Sequence, residues 1–242
     1  MAKFGAVTRL FLLNRAQGRL TPEESAVLDD SCDQVRDLPA RHILVRAREP
    51  VHSSTLLLEG FICRYMDDHA GARQLVAIHV PGDFVDLHGF PLKWLEHDVA
   101  AMGPVKIGSW MHETLVRVTD AHPHLTRMLW YATLLDAAIH REWIFRLGRL
   151  GAEGRLAHLI CELYERLKAV GLAKSDRFML PLKQADLAEA CGLTNVHVNR
   201  VLRSIREQGI MTFRSGEVII QDMHRLRALG DFDPSYLYID PE

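Results

Sequence analysis

The chain has 242 residues, 48% hydrophobic and 25% charged, proportions of a globular protein with one large or two ordinary domains. Its formal net charge of −2 excludes a generally polybasic protein, so any contact with nucleic acid must be local. Four scattered cysteines (Cys32, Cys63, Cys161, Cys191) show no Cys-x-x-Cys or Cys/His ligand spacing, which points to reduced, buried thiols and away from zinc or an iron–sulfur cluster.

At the start, Lys3 precedes an apolar stretch from Phe4 to Leu13. Arg9 interrupts it and no small-residue cleavage site follows, so no signal peptide is expected. No apolar run approaches the roughly 20 residues that span a bilayer. The expectation is a soluble, cytoplasmic protein without membrane contact. Phe4, Val7, Leu10 and Phe11 are spaced for a short amphipathic helix. Thr21-Pro22-Glu23-Glu24 is a helix start, with an N-cap, Pro at the first helical position and a capping-box Glu, ahead of Ala26, Val27 and Leu28.

From about Asp37 to Trp110 the pattern changes to short strands: His42–Val45, Thr55–Leu58, Phe61–Tyr65, Gln74–Ile78 and Val105–Gly108. Turn residues separate them at Glu59-Gly60, Asp67–Gly71 and Pro81-Gly82-Asp83. This spacing predicts an antiparallel barrel or sandwich of about 75 residues. Pro123 then opens a segment free of Gly and Pro until Gly148, in which Leu125, Met128, Ala132, Leu135, Ile139 and Trp143 form an apolar stripe at helical spacing. A helix of about 25 residues is some 37 Å long, more than a small domain needs to cover its core. We therefore expect the stripe to pack on the barrel and against the same helix of a second chain. Gly148, Gly151 and Gly154 predict a boundary and hinge. Leu156, Leu159, Ile160, Leu163 and Leu167 mark a further amphipathic helix. Residues Gly171 to Phe178 read as a loop. Beyond Asp222 a short helix from Met223 to Leu229 is expected, with a docked tail carrying Phe232, Tyr236, Leu237 and Tyr238.

The stretch Gln184 to Arg203 carries the strongest signal. Leu187, Ala188 and Cys191 share one face of a first helix, and Gly192 follows where a helix ends with φ > 0. Thr194 is an N-cap for a second helix whose apolar face is Val198, Val201 and Leu202. Asn195, His197, Asn199, Arg200 and Arg203 are left facing outward, suited to the edge of a duplex. This is the pattern of a helix-turn-helix, with its second helix, 195–203, in the major groove. Ile210–Phe213, the turn Arg214–Glu217 and Val218–Ile220 read as a hairpin wing beside it. Between Asn195 and Arg214, four arginines face only Glu207, a local excess of three positive charges in a chain that is acidic overall.

The order of barrel, long helix, hinge and winged helix-turn-helix resembles the Crp–Fnr family of dimeric bacterial transcription regulators. Gly60, Pro81-Gly82-Asp83-Phe84, Arg155-Leu156-Ala157 and Leu187-Ala188 through Gly192-Leu193-Thr194 to Val198-Asn199-Arg200 carry the likeness, over roughly residues 20 to 225. The expected fold is α+β: residues 1–119 as N-terminal helices and an antiparallel β-roll or barrel sensor, 120–150 as a long dimerisation helix, and 151–242 as a winged helix-turn-helix. The resemblance implies a homodimer on a palindromic site in double-stranded DNA, with RNA polymerase as a further partner. An effector in the barrel, identity unknown, or a redox sensor attached to it would set its activity. It makes Arg200 the base-reading arginine, placed for guanine O6 and N7, with Gln184, Thr194, Asn195, His197, Asn199, Arg203 and Arg214 reaching bases or phosphates nearby. Val196 departs from the family, standing where an acidic residue usually reads cytosine; an apolar contact to a thymine methyl could replace that reading.

The barrel departs further. Cyclic-nucleotide-binding members follow the Gly-Asp-Phe turn with a Glu that holds the ribose and an Arg that holds the phosphate. Here Gly82-Asp83-Phe84 leads to Val85-Asp86-Leu87-His88, and the later segment is His97-Asp98-Val99-Ala100 without Arg. A buried phosphate without a fixed cation is uncompensated, so cAMP is not expected and no cofactor is predicted. The N-terminal cysteine cluster of oxygen-sensing members is also missing. His79, His88 and His97 sit close in sequence; hydrogen-bonded side chains rather than metal or haem ligands are expected. No catalytic constellation emerges: Ser53, Ser54 and Ser109 lie in no nucleophile context, and His140 and Glu142 read as exposed helix residues. The alternative reading is a cupin-like barrel for a small ligand or metal, with C-terminal helices that mediate protein interactions.

Overall fold

The computed structural model describes residues 3–240. By their internal contacts these form two units, the first made of 3–66, 78–137 and 238–240, the second of 67–77 and 138–237.

In the first unit the N-terminal segment is not the expected helix but a run of turns. Its bonds are of the i→i+3 kind, such as Phe11 N to Thr8 O and Arg15 N to Leu12 O. Gly5, Leu12 and Asn14 have positive φ, which an α-helix cannot accommodate. The apolar spacing instead buries Val7 and Phe11 against the barrel core. Helix α1 (Pro22–Ser31) begins as the sequence predicts: the Thr21 hydroxyl accepts from Glu24 N, and the Glu24 carboxylate accepts from Thr21 N.

Seven strands follow, with Asp67 of β4 and residues 73–77 of β5 counted in the second unit: β1 (Gln34–Leu38), β2 (Ile43–Val45), β3 (Ser53–Glu59), β4 (Ile62–Asp67), β5 (Arg73–His79), β6 (Asp98–Ala101) and β7 (Val105–Met111), with the short α2 (Gly89–Leu92) between β5 and β6. They make two antiparallel sheets, β1-β7-β3 and β2-β6-β4-β5. Leu57, Ile62, Val85, Leu95, Val99 and Ile107 pack together in one core, while Leu56 and Trp110 face a second one with Val7, Phe11, Leu28, Leu115 and Leu125. Strands β1 and β6 were not expected. The first is a charged edge strand, Gln-Val-Arg-Asp-Leu, and the second ends in two alanines of low strand propensity. At Gly82 (φ 98°) an added Cβ would meet Leu10 O at 2.4 Å, so the Pro81–Asp83 turn requires glycine.

Helix α3 (His112–Ala121), also unpredicted, leads into α4 (Pro123–Arg149), the long helix. Leu125, Met128, Leu135, Ile139 and Trp143 of the expected stripe are buried. A second apolar row stays exposed: Trp130 at 64%, Leu134 at 52% and Ile144 at 73%. Trp130 and Ile144 lie four turns apart on one side of the helix.

In the second unit α4 runs through Gly148 and breaks at Leu150-Gly151, and Gly151 is the N-cap of α5 (Ala152–Ala169). Gly154 lies inside α5, where an added Cβ would come within 3.1 Å of Leu229 O, so this glycine serves close packing. Helix α5 is the core element, with Leu156, Leu159, Ile160, Leu163 and Leu167 buried. The segment expected as a loop contains β8 (Ala173–Lys174) and β9 (Arg177–Met179). They are too short to show alternation. Helices α6 (Gln184–Cys191) and α7 (Asn195–Glu207) come next, then β10 (Met211–Arg214), β11 (Glu217–Ile220) and α8 (Met223–Leu229). The sheet order β10-β11-β9-β8 makes the wing part of a four-stranded sheet.

The tail docks through part of the expected set, with Tyr238 left 49% exposed. Phe232 and Leu237 are buried, and the Tyr236 hydroxyl donates to the buried Glu162 carboxylate at 2.9 Å. That carboxylate also accepts from Trp143 Nε1 and Arg166 Nη1, so a carboxylate in the core is fully engaged.

Candidate nucleic-acid interface

Helix α6 buries Leu187, Ala188, Ala190 and Cys191, the face that the spacing predicts plus one alanine. It ends at Gly192, whose φ of 62° is the left-handed C-cap conformation. Thr194 then caps α7: its backbone is extended and its hydroxyl accepts from His197 N at 3.2 Å. Val198, Val201 and Ile205 point into the core; Leu202, expected with them, is half-buried.

With that face fixed inward, the opposite one is presented outward. Asn195, Val196, Asn199, Arg200 and Arg203 are all exposed, and His197 is half-buried. Val196 is 80% exposed. An apolar side chain held that far into solvent at the start of a helix suits a methyl group on a partner. The Asn199 amide donates to Asn195 O at 3.0 Å and is thereby folded along the helix.

Two surface depressions gather the candidate residues. One is lined by Gln184, Asn199, Leu202, Arg203, Arg206 and Phe213, which brings the start of α6 beside α7. The other sets His197, Arg200 and Ser204 against Gly151–Gly154 at the start of α5. Arg206 and Ser204 were not among the expected contact residues. Arg206 could have been read from its spacing, three residues beyond Arg203 on the same helical side. Ser204 and the α5 start could not, because only the fold brings them together. Arg214 is exposed at the wing tip, where Ser215 and Gly216 both have positive φ, as a tight two-residue hairpin requires.

A model of the Crp-like helix-turn-helix domain matches residues 154–229. The transcriptional activator protein FnrL of Cereibacter sphaeroides is 31% identical over 162 residues, 64% of this chain and 64% of that protein, a little under two thirds of each. The transcriptional activator protein anr of Pseudomonas aeruginosa is 24% identical over 211 residues, 87% of this chain and 86% of that one. Among solved structures, FixK2 from Bradyrhizobium japonicum shares the fold with a TM-score of 0.74 at 23% identity, covering 81% of this chain and 96% of that one. The chain thus carries a Crp-like helix-turn-helix over 154–229 and is similar over most of its length to transcriptional activators of the Crp–Fnr kind.

The barrel interior differs from expectation in one respect. It does hold a fixed cation. Arg64 of β4 is buried; its Nε donates to Val85 O at 2.8 Å and its Nη1 to the Asp136 carboxylate at 2.6 Å. Sequence reasoning missed it because its counter-ion lies 72 residues away on α4. The signal available was a lone charge inside the apolar run Ile62-Cys63-Arg64-Tyr65. Around it stand three imidazoles. His88 Nδ1 is 3.5 Å from Arg64 Nη2, and the His88 and His97 rings are 5.4 Å apart. Burial, reinforced by the Arg64 charge, pushes His79 down to about 4 and His88 to about 3, and lowers His97. All three are therefore neutral near pH 7. Burial raises Asp86 to about 7, against the Thr55 N–H that donates to it at 2.5 Å. Outside the barrel, His140 and Glu142 are half-buried rather than exposed.

Proposed function

We propose that this Crp–Fnr regulator binds double-stranded DNA as a homodimer, with α7 of each chain in the major groove of one half of a two-fold symmetric promoter site. The observation that carries this is α7 itself: a capped helix, apolar on its inner side, with Arg200, Asn195, Val196, Asn199 and Arg203 together on its outer side. Arg200 reads guanine, Val196 meets a thymine methyl, and Gln184, Thr194, Arg203 and Arg214 hold phosphates on either side. The exposed row Trp130, Leu134 and Ile144 supports a parallel pairing of two α4 helices, since an uncovered apolar stripe of this length is costly in water. As a regulator it acts without a catalytic step, in the cytoplasm where its promoter is, and RNA polymerase is the second macromolecule it addresses.

For the barrel, we read cAMP as disfavoured and predict no cofactor. Arg64 is the cation a phosphate would need, and Asp136 already neutralises it at 2.6 Å. A cyclic phosphate would have to compete with that carboxylate for the guanidinium.

Duplex binding measured by fluorescence anisotropy over a range of salt concentrations tests the interface. The logarithm of affinity should fall linearly with the logarithm of salt, and Arg214→Ala should reduce the slope by about one. An unchanged slope would remove the wing from the interface; no binding at any salt concentration would sink the DNA reading.

A further inference from the structure

The last carbonyls of α6 have no partner within their own helix, and Ala190 and Cys191, which carry two of them, are buried. Ala188 O accepts from Gly192 N and Leu193 N. The next three are each met by a side chain from a different segment. Glu189 O accepts from Gln74 Nε2 at 2.5 Å, Ala190 O from Arg146 Nη2 at 3.1 Å, and Cys191 O from Arg155 Nη1 at 3.2 Å. Gln74 belongs to segment 67–77, Arg146 to the last turn of α4, and Arg155 to the first turn of α5. Two of them reach the turn itself: a Cβ on Gly192 would lie in ordinary contact with Arg155 Nη1 at 3.6 Å and Gln74 Oε1 at 3.8 Å.

The chemistry suits the place. The carbonyl end of a helix carries partial negative charge, and two guanidinium groups complement it. Arg146 is wholly buried with no carboxylate within ion-pair distance among the described residues; besides Ala190 O it has Arg155 O at 3.4 Å and the Trp143 ring 4.3 Å below its guanidinium. Arg155 also donates from Nε to Leu150 O at 2.9 Å, so one side chain joins the end of α4 to the end of α6. This gives a physical role to Arg155 of the Arg-Leu-Ala motif, which the DNA face does not use.

We propose that Gln74, Arg146 and Arg155 form a three-sided clamp that positions the helix-turn-helix for DNA reading. The clamp fixes the point at which α7 leaves the Gly192 turn. It sets the direction of the recognition helix without touching a base. The proposal rests on the DNA-binding reading above, and the test separates the two. Full-length Gln74→Leu and Arg155→Met remove donors at nearly constant length; neither buries a new charge, so folding survives even if Arg146 tolerates no change. Without DNA, hydrogen exchange should speed up in peptides spanning 185–203 and stay unchanged in β10–β11. With DNA, affinity for the preferred duplex should fall about tenfold, as for loss of a hydrogen bond to a charged group. The preference among duplexes with half-sites moved by one base pair should flatten while base preference within the half-site stays that of the wild type. Arg155→Lys should restore part of both effects. A merely structural role would lower the melting temperature and leave the spacing profile as it was. Unchanged exchange, or an unchanged spacing profile in variants with altered exchange, overturns the clamp. Wild-type protein that binds no duplex overturns the DNA reading, and the exchange result then judges the clamp alone.

Discussion

Arg200 is placed by its neighbours rather than by its own bonds. Val198 and Val201 turn one side of α7 inward and leave the guanidinium on the other. Replacing it with Ala should therefore leave the melting temperature unchanged, yet cost on the order of 1–3 kcal/mol of discrimination at one base position, read by anisotropy on duplexes varied at that position. An equal loss on every sequence would make it a phosphate contact instead. Buried titrating groups give a second prediction. His79 and His88, held at about 4 and about 3, bind fewer protons in the folded state than in the unfolded one below pH 6.5. Their contribution is present above that value and lost as pH falls towards 4. Asp86, held at about 7, acts in the opposite direction over the same range. With two imidazoles against one carboxyl, chemical-denaturation stability should rise from pH 4 to 6.5, and His79→Gln should flatten the rise. A stability that falls with pH over that window would contradict the assignment. At this scale the outward face of α7 was legible because one helix determines it. Arg64 with Asp136, and Glu162 with Trp143 and Tyr236, were not, because each pair is brought together only by the fold.

Helix ends were the most readable elements. Thr21-Pro22-Glu23-Glu24, Gly192 and Thr194 sit at boundaries because each satisfies a backbone group that the helix itself leaves open. Thr21→Ala breaks both bonds of the capping box and should cost about 1 kcal/mol in equilibrium unfolding; no loss would mean that α1 is held by tertiary packing alone. The N-terminal segment misled because helical apolar spacing also fits a chain of turns that drops every third or fourth side chain into a core. The i→i+3 bonds and the positive φ values of Gly5, Leu12 and Asn14 distinguish the two, and at Leu12 the residue type does not announce it. The strands β1, β6, β8 and β9 escaped for a different reason. They are short or polar, and their pairing partners decide their conformation.

For the whole molecule, the long helix separates two tasks that the sequence reading assigned to a single stripe. Leu125, Leu135, Ile139 and Trp143 serve the chain's own core, whereas Trp130, Leu134 and Ile144 remain uncovered. Since Ile144 is 73% exposed, Ile144→Glu should leave the fold intact and yield a monomer in sedimentation velocity at concentrations where the wild type is a dimer. A dimer that survives this change would place the pairing surface elsewhere. The order of barrel, long helix and winged helix-turn-helix was legible from end to end, because each segment has its own hydrophobic period. The clamp on α6 was not, since it joins residues from three separate stretches. The most direct test of the account is selection of binding sites from a random duplex library with the purified wild-type protein. The account predicts a two-fold symmetric site with half-sites about one helical turn apart. Enrichment of an asymmetric site, or of none, would contradict it.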